Sequence, residues 1–96
     1  MLRGGAEMAG FAVKYKAVDG EYYDKTHLPL AGAQIGKWVK ALRVIRGKGD
    51  FQQITLVDLK DGVTASEVLE SAEMKAVTAD MANFTDPQAV EVLRFE

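Results

Sequence analysis

Residues 10–16, Gly-Phe-Ala-Val-Lys-Tyr-Lys, alternate along the chain: Phe11, Val13 and Tyr15 fall on one side, Ala12, Lys14 and Lys16 on the other. That period of two is a strand. Asp19-Gly20 offers a helix start, and residues 21–27 read as a short helix. Pro29 disfavours helical geometry at Leu28, so a break or kink is expected there. Gly32 and Gly36 loosen the segment beyond it. Residues 38–46 form a second predicted strand, residues 47–50 (Gly-Lys-Gly-Asp) a turn, and residues 51–59 a third strand. A turn this short makes an antiparallel hairpin.

Thr64-Ala65-Ser66-Glu67 is a capping box that opens a helix with an apolar face of Ala65, Val68, Leu69 and Ala72. A second stripe, Met74, Val77, Met81 and Phe84, lies roughly 150° out of phase at about 100° per residue. One straight helix cannot turn both stripes to one sheet. The spacing therefore predicts a break near Ser71–Glu73, then a second helical piece to about Asn83. Residues 89–95 close the chain as a strand. The order βαββαβ predicts a ferredoxin-like α+β sandwich on an antiparallel sheet.

The hairpin strands carry apolar residues on both faces: Val39, Ala41 and Ile45 against Trp38, Leu42 and Val44, then Ile54 and Leu56 against Phe51, Val57 and Leu59. A sheet with one wet face alternates cleanly. Two helices cover one face only, so the other predicts a second copy of the chain, a homodimer.

Ninety-six residues make one domain, here 10–96, preceded by a loose leader at 1–9. Apolar residues at 48% and charged residues at 27% match an ordinary globular domain. No apolar run approaches the ~18–20 residues of a membrane span, and the leader lacks the apolar stretch of a secretory signal. These features read as a cytoplasmic protein with no membrane partner. The absence of cysteine excludes disulfides, thiolate metal sites and cysteine nucleophiles. The net charge of -2 conceals an asymmetry. Nine Lys/Arg against five Asp/Glu in residues 1–50 give +4; three against nine in residues 51–96 give -6. The basic run Lys37, Lys40, Arg43, Arg46, Lys48 has only Trp38 interleaved, and the domain is acidic overall. That argues against nucleic acid as a partner.

Candidate chemistry gathers around His27, the one histidine. It comes four residues after Tyr23, so the two share a helix face. It also stands near the end of the predicted helix, where the dipole favours a protonated ring. A lone histidine is the usual general acid or base; the competing reading is a ring that caps carbonyls or fills a groove. Tyr15 can reach the same helix–sheet groove, and Tyr22 and Trp38 are further amphipathic aromatics. Gln52, Gln53 and Thr55 are polar residues in a strand otherwise suited to burial, hence either ligand contacts or edge positions. No multi-histidine metal site is possible, Gly47-x-Gly49 leads into a strand rather than a helix, and no phosphate-binding loop motif is present.

Residues 22–30, Tyr-Tyr-Asp-Lys-Thr-His-Leu-Pro-Leu, resemble the YYxxxHxPL signature of the EthD-like proteins, and residues 76–84 are similar to the ending of their second helix. The resemblance covers residues 10–96. It implies a dimeric α+β barrel, in which two ferredoxin-like sheets face each other, and it points to His27 as a functional residue. The link from Tyr15 to Glu21 is short where many relatives carry a longer loop with a large apolar residue, which alters the mouth of the groove. The resemblance leaves function divided. The leading expectation is proton transfer on a small hydrophobic carbonyl, lactone or phenolic metabolite, of isomerase, dehydratase or cyclase type. His27 and Tyr23 would be catalytic, with Tyr15, Trp38, Thr55 and Phe84 binding the substrate, and no metal or cofactor. The alternatives are a non-catalytic accessory protein with an oxygenase partner in ether or aromatic degradation, and a haem-binding or cofactorless monooxygenase.

Overall fold

A computed structural model describes residues 9–95; the leader expected at residues 1–9 lies outside the described residues except for Ala9. Strand β1 (Gly10–Tyr15) enters a helix, α1, that runs through residues 20–35. A short 3-10 turn, Gly36–Trp38, leads into β2 (Val39–Arg46), which turns back as β3 (Gln53–Leu59). Two helices, α2 (Ala65–Leu69) and α3 (Ala72–Ala79), precede β4 (Glu91–Phe95). The strand order is β2-β3-β1-β4 with every pair antiparallel. This is the expected βαββαβ sandwich, with the helices packed on one face of the sheet.

The local signals explain most boundaries. Asp19 caps α1 by accepting from the Tyr22 backbone N–H. Thr64 and Glu67 complete the capping box of α2 in both directions. The expected break falls at Ser71, whose hydroxyl accepts from the Met74 N–H and opens α3 on a new axis. Both apolar stripes then meet the sheet.

Three expectations need correction. Pro29 does not break the first helix. Residues Tyr23–His27 instead form one π-turn, in which the Leu28 N–H reaches the Tyr23 carbonyl five residues back. Pro29 then sits in the first turn of the next α-helical segment, where its missing N–H costs nothing. The second correction is at the start of β2, where Trp38 belongs to the 3-10 turn rather than the strand. A register shift between Val39 and Ala41 places one extra residue, Lys40, against β3. Val39 pairs with Leu59 and so lies with Leu42 and Val44 on the helix-facing side, not with Ala41 and Ile45. Third, Phe51 precedes β3 and lies beneath the Lys14 ammonium instead of packing within a strand.

The core fills the space between helices and sheet. Phe11, Val13 and Tyr15 of β1 and Val57 and Leu59 of β3 meet Ala31 and Ile35 of α1 and Val68, Met74 and Val77 of α2 and α3. The opposite face alternates as the register dictates: Ala12 pairs with Leu56 and Leu93, and Ile54 with Ile45. No helix covers it. Leu93 is 62% exposed and Ile45 42%.

Candidate functional site

The π-turn sets Tyr23 and His27 side by side on the buried face of α1, with ring centroids 5.2 Å apart. His27 is 3% exposed, and the Phe84 ring lies 4.5 Å from it. Its Nδ1 is 3.0 Å from Asp80 Oδ2, at the start of the 3-10 turn Asp80–Asn83 that ends α3. The other Asp80 oxygen accepts from the Tyr22 hydroxyl at 2.7 Å and from Asn83 Nδ2 at 3.0 Å. Burial pushes the Asp80 carboxyl up, but hydrogen bonds from Asn83, His27 and Tyr22 outweigh it and hold the group below the usual carboxylate range. Asp80 is therefore an ionised acceptor at neutral pH, and the proton between the pair belongs on His27 Nδ1. Nε2 has no hydrogen-bond partner among the described residues. His27 does not stand at a helix end, because α1 continues to Ile35. An aspartate supplies the negative partner expected there from the helix dipole.

A second polar arm reaches Tyr23 from the other side. The Tyr23 hydroxyl is 2.6 Å from Thr55 Oγ1, and Gln53 Nε2 donates to the same oxygen at 3.1 Å. Gln53 is oriented in turn by Arg46, whose Nε donates to Gln53 Oε1 at 2.8 Å while its two terminal nitrogens grip Asp24 at 3.1 and 2.8 Å. The donors thus run inward from a guanidinium: Arg46 to Gln53, Gln53 to Thr55. Burial pushes the Tyr23 phenol up, and hydrogen bonds from Thr55 and Tyr15 and the Arg46 charge oppose that without cancelling it. Burial raises Tyr15 far more, with Tyr23 adding to the effect. Both phenols are neutral donors across the physiological range.

His27, Tyr23, Tyr15 and Thr55 all line one inner cavity of about 30 Å³, which has room for one or two water-sized groups. The structure thus brings together four of the six residues singled out from sequence. Phe84 stands behind His27 and Tyr23 and packs on both rings, outside the cavity lining. Trp38 is elsewhere, with the Lys37 ammonium 4.5 Å from its ring centroid. Asp80 was not anticipated, although a signal existed: it falls between Val77 and Phe84 at helical spacing, a carboxylate on an apolar stripe. Among the described residues no group of three histidine or carboxylate side chains could hold a metal ion. A macrocycle such as haem does not fit the inner cavity or the roughly 240 Å³ cleft beside it, which is smaller than an ordinary ligand pocket. The arrangement can take a proton at Nε2 and donate one to an oxygen from Tyr23, beside largely apolar walls.

No protein-family model matches the chain, and no curated protein matches its sequence. Among solved structures, an ethyl tert-butyl ether D (EthD) family protein from Bacillus halodurans C-125 superposes with a TM-score of 0.73 at 20% identity, over 93% of this chain and 97% of that one. An EthD-like protein from Ralstonia eutropha JMP134 gives a TM-score of 0.73 at 19% identity, over 94% of this chain and 91% of that one. Likeness at this identity speaks to the fold, and it runs across nearly the whole of each chain. In fold, the chain is EthD-like.

Proposed function

We propose that the chain binds a small, largely apolar carbonyl, lactone or phenolic compound and moves a proton on it, with His27 Nε2 as the base and then the acid. One observation carries this reading: a buried histidine has one nitrogen held by an ionised aspartate and the other unpartnered, in a cavity shared with a phenol donor. A ring that merely filled space would not need its Nδ1–H fixed by a carboxylate with two further donors. Asp80 selects the tautomer, as carboxylates do in other histidine bases. Tyr23, supplied with hydrogen bonds through Thr55, is placed to donate to the oxygen on which negative charge develops.

The test is substrate-independent. A ketone probe, 2-octanone in D2O, exchanges hydrogens alpha to its carbonyl when a base and an oxyanion donor act together, and NMR tracks the loss of proton signal. Exchange above the buffer rate is expected, with a loss of about 100-fold or more in His27→Ala. Binding without exchange would refute the catalytic reading and leave a non-catalytic carrier or an accessory protein of an oxygenase.

Assembly belongs to the same proposal. The uncovered face carries Ile45 beside Ile54, with Leu56 and Leu93 on either side of Ala12. Contiguous apolar surface beyond a few hundred Å² marks an interaction site. A second copy placed face to face through a two-fold axis buries it with a self-complementary patch.

A further inference from the structure

The inner cavity at His27 has a neighbour. A cleft of about 240 Å³ runs along the outer flank of α1 toward β2. Leu28, Ala31, Ile35 and Leu42 border both spaces, so the two lie side by side. Gly32, Gly36 and Val39 complete the cleft, and no charged side chain enters its lining. Val39 is available there because of the irregularity at the start of β2, which turned it to the helix side.

The two glycines are the telling residues. Gly32 lies inside α1, where a glycine costs roughly 0.5–1 kcal/mol relative to alanine, and Gly36 opens the 3-10 turn that follows. Close packing is the usual compensation, yet a Cβ placed on Gly32 or Gly36 meets nothing within 4 Å. A side chain there would occupy open room beside the cleft rather than displace protein. Independently, the cavity at the head of the cleft is lined by His27, a side chain almost completely buried whose Nε2 has no hydrogen-bond partner among the described residues. An apolar trough with a polar end implies a ligand divided in the same way.

We propose that this cleft, floored by Gly32 and Gly36, is the binding subsite for the aliphatic body of an uncharged ligand whose single carbonyl or hydroxyl oxygen enters the inner cavity. The inner cavity admits a head group of one or two heavy atoms and excludes a ring or a carboxylate with its hydration. The cleft falls below the ~300–1,000 Å³ of pockets that take drug-sized molecules, so the body is short. Its lining of Leu, Ala, Ile, Val and Gly offers no partner to a polar or charged tail. This rests on the proton-transfer reading for the identity of the head group, but not for the shape of the tail.

The experiment titrates the full-length protein with a homologous series of methyl ketones, 2-butanone, 2-hexanone and 2-octanone, by calorimetry or NMR. Binding is expected to tighten about threefold to fourfold per added methylene until the cleft is full. Gly32→Leu is expected to weaken 2-octanone tenfold or more while leaving 2-butanone within twofold. Gly36→Ala, a smaller intrusion, is expected to shift the plateau to a shorter chain. Thermal melting confirms that each variant is folded. His27→Ala is expected to weaken all members by a similar factor and to keep the chain-length dependence. A flat series in the unmodified protein, or an unchanged series in folded Gly32→Leu and Gly36→Ala, would overturn the cleft as a subsite even if His27-dependent exchange persisted. A steep series that His27→Ala leaves untouched would uphold the cleft and remove the head-group reading instead.

Discussion

Asp80 offers the most quantitative test of the site, because its loss and its neutralisation should differ. Asp80→Ala removes the acceptor of His27 Nδ1–H and leaves that donor inside the protein, 3% exposed, with no partner in reach. An orphaned buried donor costs about 1–3 kcal/mol. Tyr22 and Asn83 also lose a partner, but both reach solvent and bond to water instead, so they add nothing to the sum. The expected cost is therefore about 2 kcal/mol, a large share of the ~5–15 kcal/mol that holds a domain of this size together. At about 4–8 °C per kcal/mol, the melting temperature should fall by about 8–16 °C. Asp80→Asn keeps an oxygen for Nδ1–H and should lose less than half as much.

The pH profile separates the two variants further. The folded Asp80 carboxyl titrates below its ordinary value of 3.8. Its stabilisation is thus fully present above that value and lost as pH falls through the lower folded one. The unmodified protein should lose stability on acidification that Asp80→Asn does not lose. Calorimetric melting of the three proteins between pH 2 and pH 7 measures all of this. Equal melting temperatures for Asp80→Ala and Asp80→Asn, or an acid limb unchanged in Asp80→Asn, would refute the claim that a carboxylate holds the ring.

Three further outcomes are expected from the geometry. Thr55→Val keeps the shape of the side chain but strands the Gln53 amide and leaves the Tyr23 hydroxyl with Tyr15 alone; it should cost about 1–3 kcal/mol, and Tyr23→Phe added to it should cost less than Tyr23→Phe alone, giving a coupling above about 1 kcal/mol in a double-mutant cycle. Burial raises both Tyr15 and Tyr23, so their stabilisation is present below the unfolded value near pH 10 and is lost as pH rises through the folded values; tyrosinate absorbance should therefore show part of its amplitude only in a cooperative step coincident with alkaline unfolding, and smooth titration of all three tyrosines near pH 10 would contradict the packing. Light scattering at low micromolar concentration should give twice the chain mass, with Leu93→Glu shifting it to the monomer; a monomer in the unmodified protein would end the face-to-face pairing.

What the sequence disclosed depended on whether the signal was periodic. Alternation in residues 10–16 and the two offset stripes around Ser71 are patterns of a regular ladder, and both led to the right elements. The order of strands came from them. Irregular geometry was not legible in the same way. Pro29 signals that a hydrogen bond is missing, but a helix can answer that by ending or by widening one turn, and the choice is made by the surface that the widened turn packs against. The extra residue at Lys40 changed the face assigned to Val39, and no composition marks it. At the site, His27 stands out as the one histidine, on a helix face shared with Tyr23, Tyr15 as an aromatic able to reach the same groove, and Thr55 as a polar residue in a strand suited to burial. The amphipathic character of Trp38 says nothing about direction. Asp80 obeyed the same rule as Thr55, but on a helix end, where a carboxylate passes for solvent-facing.

The π-turn in α1 also acts as a phase corrector. The buried residues Tyr23, His27, Ala31 and Ile35 recur every fourth position. An α-helix completes a turn in about 3.6 residues, so such a series drifts by about 40° at each step and about 120° over its length. An unbroken α-helix would then turn Ile35 away from the sheet if Tyr23 faced it. One residue absorbed by the wide turn takes back about 100° of that drift, leaving about 20°. The chemical half of the helix and the half that walls the cleft can thereby share one azimuth. The wide turn behaves as a one-residue insertion whose rotation never reaches the rest of the helix. Deleting one residue from it, Thr26 for instance, would let a plain α-helix reach the same alignment, so Ile35 would still face the sheet. The change would stay at the chemical end, where Tyr23 and the histidine would stand three residues apart instead of four and point about 60° away from each other.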